Sequence, residues 1–127
     1  MLKKFLVYIP VLTGILWSSN AQETKIYTHE QKDFQDALAL YHNEQYQAAQ
    51  TIFKKVKSST DNEEVAANSA YFTANAAVRL NQQGADQLME DFVEKYPTST
   101  KRNSAFADVA EYYFETGKYP YALKWYN

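Results

Sequence analysis

Polar and apolar residues alternate along this chain with the period of a helix, and short polar breaks divide the pattern into segments. Phe34, Ala37, Leu38 and Tyr41 fall at the i, i+3, i+4, i+7 spacing of one helix face, which predicts a first helix over 29–42. After the polar turn Asn43, Glu44, Gln45, the residues Tyr46, Ala49, Ile52, Phe53 and Val56 repeat that spacing in a second helix. The run KSSTDN at 57–62 then interrupts it, and four more helical segments follow over 63–80, 85–96, 100–116 and 119–127. Thr28 with Gln31, and Thr60 with Glu63, have the spacing of a capping box, in which a threonine hydroxyl and a Glu or Gln side chain satisfy orphan amides at a helix start. Pro97 and Pro120 stand where proline is tolerated, after one helix and in the first turn of another.

The segments come in pairs, and the pairs repeat. Ala49, Ala85 and Ala122 recur in the second helix of each pair, each followed four places later by a bulky residue, Phe53, Met89 or Tyr126. Phe34, Tyr71 and Phe106 recur in the first helix, and NSAY at 68–71 returns as NSAF at 103–106. Gly84 and Gly117 both lie between the helices of a pair. The expected architecture is all-α, built from helix-turn-helix units of about 36 residues, as a fixed period implies. Its units are 30–60, 61–97 and 98–127, after a short lead at 22–29.

Composition narrows this further. Only three glycines and three prolines occur in 127 residues, too few for the turns of a β sandwich or barrel, and no cysteine is present for a disulfide, a thiolate metal site or a cysteine nucleophile. The first 21 residues have the form of a signal peptide: Lys3 and Lys4, an apolar run over 5–17, then Ser19, Asn20 and Ala21 before the expected cut. The rival reading is an uncleaved anchor, but a spanning helix needs about 20 apolar residues, and this stretch is shorter and carries Pro10 and Gly14. Removing Lys3 and Lys4 from the 13 basic residues leaves 11 against 15 acidic ones, a net of −4 that gives no electrostatic reason to bind nucleic acid.

The period and these positions resemble the tetratricopeptide repeat. Phe106, Val109, Ala110, Tyr113, Gly117, Tyr119, Ala122 and Tyr126 fall in register with its signature, and Phe34, Ala37, Tyr41, Tyr46, Ala49 and Phe53 do so in the first unit. Tyr71, Ala74, Ala85, Met89, Phe92 and Pro97 carry it in the second, with a shorter turn and Gln82 in place of a turn aromatic. YPTS at 96–99 and the longer period are similar to the exported envelope subgroup, which includes outer-membrane assembly lipoproteins and Tol-Pal-associated coordinators, although the lipid-bearing cysteine of the former is absent. The resemblance implies an α-solenoid of two and a half to three repeats, exported to the periplasm and placed there or at the outer membrane. It also implies a non-enzymatic scaffold that binds a peptide or helix of another envelope protein, needs no cofactor and acts on no small-molecule substrate. The alternative it leaves open is the extracytoplasmic sensory domain of a longer membrane-bound regulator.

Carried over position by position, the concave face would be lined by Lys32, Gln35, Ala39, His42 and Asn43, then Ser69, Phe72, Ala76 and Arg79, then Ala107, Glu111 and Phe114. Gln35, His42, Phe72, Arg79, Glu111 and Phe114 are the candidate partner-binding residues, with the two phenylalanines as apolar anchors and Arg79 as an ionic handle. Phe72 and Phe114 have an alternative reading as packing residues between helices. His29 and His42 lack the i, i+4 pairing of a zinc helix, and the acidic pairs Asp33/Asp36, Glu63/Glu64 and Glu90/Asp91 are spaced as solvated faces, so neither catalysis nor metal binding is expected. The last helix should lack a covering neighbour and leave Tyr119, Leu123, Trp125 and Tyr126 open to self-association, as in the N-terminal part of a longer array.

Overall fold

The structure, a computed structural model, describes residues 19–127, with side chains from residue 29 onward. Lys3, Lys4 and the apolar run of the expected signal peptide lie outside the described residues. Those residues form six helices joined by turns, with no strand among them: α1 Ser19–His42, α2 Tyr46–Ser59, α3 Glu63–Arg79, α4 Ala85–Lys95, α5 Arg102–Glu115 and α6 Tyr119–Tyr126. The all-α expectation holds, and five of the six helices start within two residues of where the periodicity placed them. The exception is α1. It runs unbroken through Thr28, so the expected start over Thr28–Gln31 is not a helix end, because no proline or glycine interrupts residues 19–28. The second expected box is also displaced: Asn62 caps α3 by accepting from the Val65 N–H at 3.1 Å, while the Thr60 hydroxyl accepts from the Asn62 N–H one turn earlier.

Each helix packs on its neighbours in sequence, and α3 additionally touches α1 and α5. Two apolar clusters result. Ala37, Ala49 and Phe53 close the α1–α2 cluster, while the larger one joins α3 to α6 through Ala74, Val78, Met89, Phe92, Val109 and Trp125. Ala37, Ala74 and Ala110, at intervals of 37 and 36 residues, are fully buried in the first helix of each pair, where a methyl group lets the facing helix approach closely. Phe72 packs against both clusters and joins them.

The three turns within pairs share one hydrogen-bond pattern. Glu44 N–H donates to the Tyr41 carbonyl and Gln45 N–H to that of Leu40; Asn81 and Gln82 do the same to Val78 and Ala77, and Gly117 and Lys118 to Phe114 and Tyr113. This is a Schellman closure, which places one residue in the left-handed region. Glu44, Asn81 and Gly117 hold it, with φ of 61°, 54° and 76°. Gly84 is therefore not the counterpart of Gly117, as the sequence had suggested; Asn81 is. Five residues separate the left-handed residue from the buried alanine in the first and third turns, and only four in the second. The second turn absorbs the missing residue with a tighter bond from Ala85 N–H to the Gln82 carbonyl and a second left-handed residue, Gly84, at φ 81°.

Glutamate is strained at the position that glycine fills in the third turn. Glu44→Gly should therefore raise the urea midpoint with no change in slope, by about 0.5–1 kcal/mol once the added freedom of the unfolded chain is set against the relief. An unchanged or lowered midpoint would show that the first turn does not hold Glu44 in that conformation.

Candidate partner-binding surface

The six candidate residues separate into two groups. Gln35, His42, Glu111 and Phe114 are exposed, whereas Phe72 and Arg79 are half-buried. The Phe72 ring stacks on Phe53 with centroids 5.1 Å apart and planes at 14°, and it meets Tyr41, Tyr71 and Phe34 edge-on at 5.1, 4.9 and 6.4 Å. Arg79 lies over the rings of Tyr41, Tyr46 and Tyr112 at 5.8, 5.7 and 5.2 Å, and its Nε donates to the Tyr41 hydroxyl at 2.8 Å. Tyr112 adds a hydroxyl bond to the Arg79 carbonyl at 3.2 Å. These two side chains clasp α3 to α1, α2 and α5. Ser69 and Ala76, expected on the concave face, are fully buried instead, because α3 is enclosed by its neighbours. The exposed candidates thus lie on the outer helices of the row, α1 and α5, and not on its middle helix.

Polar contacts that sequence reasoning missed fix the helices against one another. Gln50 is buried on α2 and exchanges two amide bonds with Gln82, at 2.9 and 3.0 Å, while its Nε2 also reaches the Thr73 carbonyl at 3.2 Å. Asp86 on α4 accepts from the Tyr113 hydroxyl at 2.7 Å and the Trp125 indole at 3.3 Å, which ties α4 to both α5 and α6. Tyr71 donates to Asp108 and accepts from Asn75 Nδ2 at 3.0 Å. The partners stand 32, 27, 39 and 37 residues apart, so no local pattern marked them. The one available signal was the placement of Gln50 on the apolar face between Ala49 and Phe53.

At the end of the row, Tyr119, Leu123 and Tyr126 share one face of α6 at i, i+4, i+7, and all three are exposed. Phe114 extends the face from α5, its ring edge-on to Tyr119 at 5.5 Å. Trp125, which the sequence had placed on this open face, is buried on the other side against Phe106 at 5.8 Å. Its neighbour Ala122 lies on the same buried side, and the Asp86 bond holds the indole there. Tyr126, expected to fill a gap beside Ala122 as Phe53 does beside Ala49, is also outside.

His29 and His42 are both exposed, and no group of three metal-ligating side chains exists among the described residues. Two shallow hollows lie away from the candidate residues, one over the α3–α4 turn beside Tyr113, Lys118 and Tyr121, the other between Glu63, Glu64 and the α4–α5 loop. No helix among the described residues is long and apolar enough to cross a membrane. Compared with family models, curated proteins and solved structures, the chain matches none.

The clasp and the tyrosine bonds each have a measurable consequence. Arg79→Lys keeps the charge but loses the planar group set among three rings, and should cost about 1–2 kcal/mol in chemical unfolding; an unchanged midpoint would make the clasp incidental. Burial first, then the bond to a carboxylate, pushes the Tyr71 and Tyr113 phenols well above their ordinary value. The neutral phenol is the folded form, so its stabilisation is fully present below about pH 10 and is lost as pH rises beyond that, where the unfolded chain ionises first. Unfolding free energy should fall steeply between pH 10 and 11, and Tyr113→Phe should flatten that fall while lowering stability at pH 8. Parallel curves for the two proteins would contradict it.

Proposed function

We propose that this chain is a non-enzymatic protein-binding scaffold of the bacterial cell envelope, an exported α-solenoid of tetratricopeptide type. The observation that carries the reading is the recurrence of one turn, with its left-handed residue at 44, 81 and 117 and the same pair of hydrogen bonds each time. Together with the buried alanines at 37, 74 and 110, it is what a stacked helix-turn-helix array requires. In such an array the first helices of successive pairs line one face. On that face Gln35 and His42 of α1 and Glu111 and Phe114 of α5 remain exposed, flanking the half-buried Arg79, and a peptide or short helix laid across them would meet polar groups and one aromatic anchor. Export rests on the signal-peptide form of the first 21 residues.

Photo-crosslinking side chains placed singly at Gln35, Glu111 and, as a control on α2, Lys54 test this in the source cell. A single adduct of the same mass from Gln35 and Glu111 but not from Lys54, lost on Glu111→Lys at the unlabelled position, is the expected result. Adducts from all three sites alike, or from none, would remove the concave face as a binding surface.

A further inference from the structure

We propose that the face formed by Phe114 on α5 and by Tyr119, Leu123 and Tyr126 on α6 docks an amphipathic helix of a partner protein, of the kind that α3 presents to α1 and α2. The Schellman turns set the first and third pairs in a fixed correspondence of 73 residues: Glu44 with Gly117, Gln45 with Lys118, and the buried Ala49 with the buried Ala122. In that correspondence Phe114, Tyr119, Leu123 and Tyr126 stand where the first pair has Tyr41, Tyr46, Gln50 and Phe53. The exposures of the two sets are opposite. Gln50 is 1% and Phe53 0% exposed, and Tyr41 and Tyr46 are half-buried, while Phe114, Tyr119, Leu123 and Tyr126 are 56, 60, 62 and 61% exposed.

What covers the first set is known residue by residue. Phe72 of α3 stacks on Phe53, the Thr73 carbonyl accepts from Gln50, and Arg79 lies over Tyr41 and Tyr46. The third pair offers the same surface with an aromatic at three of the four places and leucine at the fourth, so it has lost the amide that paired with a turn and gained apolar area. The complementary helix carries an aromatic residue to lie on Tyr126 and, two turns later, an arginine to lie over Phe114 and Tyr119. No helix of this chain's described residues is free to serve, since α3 is itself enclosed. A second copy paired through α6 alone is a poor fit, because eight residues span only about 12 Å and a stable interface buries about 1,200–2,000 Å². A helix as long as α3 bridges α6 and the end of α5 together, as α3 bridges α1 and α2. This surface lies apart from the concave face, and it rests on the turn correspondence, not on any ligand bound there.

The probe is a blocked synthetic peptide with the sequence of residues 63–79, titrated into the intact protein by calorimetry and followed by hydrogen exchange. Saturable one-to-one binding that slows exchange in α6 is expected, weakened at least about tenfold by Leu123→Glu in the protein or by F72A in the peptide. Leu123 is exposed, so its substitution leaves the fold intact, which a thermal melt verifies. Glu111→Lys should leave this binding unchanged, so failure of the concave-face reading and failure of this one are read separately. Absence of peptide binding, or equal binding to the Leu123→Glu protein, would overturn the proposal. A dimer that Leu123→Glu dissolves and the peptide does not displace would assign the face to a second copy and overturn it equally.

Discussion

Enclosure of α3 is the constraint on which the rest of this structure depends. Ten of its 17 residues are buried, and it is the helix that touches α1, α2, α4 and α5. A helix surrounded on so many sides must be narrow, and its run of alanines supplies that: methyl side chains let four neighbours approach where leucines would hold them apart. The cost is carried by polar atoms. Asn68 Oδ1, Ser69 Oγ, Thr73 Oγ1 and Asn75 Oδ1 are buried without a hydrogen-bond partner, each a loss of about 1–3 kcal/mol that the packing around them must offset.

The large residues stand where α3 meets the rim of that packing. Phe72 is in contact with both apolar clusters, and Arg79 at the last turn of α3 is held among tyrosines from three other helices. An arginine there also suits the negative end of the helix dipole. These two side chains were first read as ligand contacts because their positions in the repeat face inward. Inward, in a row of three tightly packed helices, means toward the neighbouring helix; only on the outer members of the row does it mean toward solvent. That is why Gln35, His42, Glu111 and Phe114 stay exposed while their counterparts on α3 do not.

The same logic makes the two ends of the chain's second-helix series unequal. Along α2, tyrosine, glutamine and phenylalanine lie beneath α3, and the buried glutamine spends its amide on Gln82 and a main-chain carbonyl. Along α6, tyrosine, leucine and tyrosine lie open, with the tryptophan turned to the inside by Asp86. Asp86 thereby acts on α6 as Gln50 acts on α2, as a polar anchor across an otherwise apolar contact, although one is a charged group on the preceding pair and the other a neutral amide within the helix.

Period and polarity determined the helices. Five of the six starts, the buried alanines and the pairing of segments were legible in the sequence because each depends on contacts within one or two turns, or on a period that repeats. Caps were less legible: threonine, asparagine and serine all suit such positions, and Asn62 prevailed over Thr60 by where the backbone bends, while α1 continued through Thr28 because nothing stopped it. Only tertiary structure decided the sides. Whether Phe72 or Trp125 faces a neighbour or solvent, and whether Arg79 is free or clasped, depends on helices 30 to 40 residues away whose approach is set by small side chains and long-range hydrogen bonds. The periodicity of a single helix fixes which residues share a face, and the packing of the others determines what that face meets.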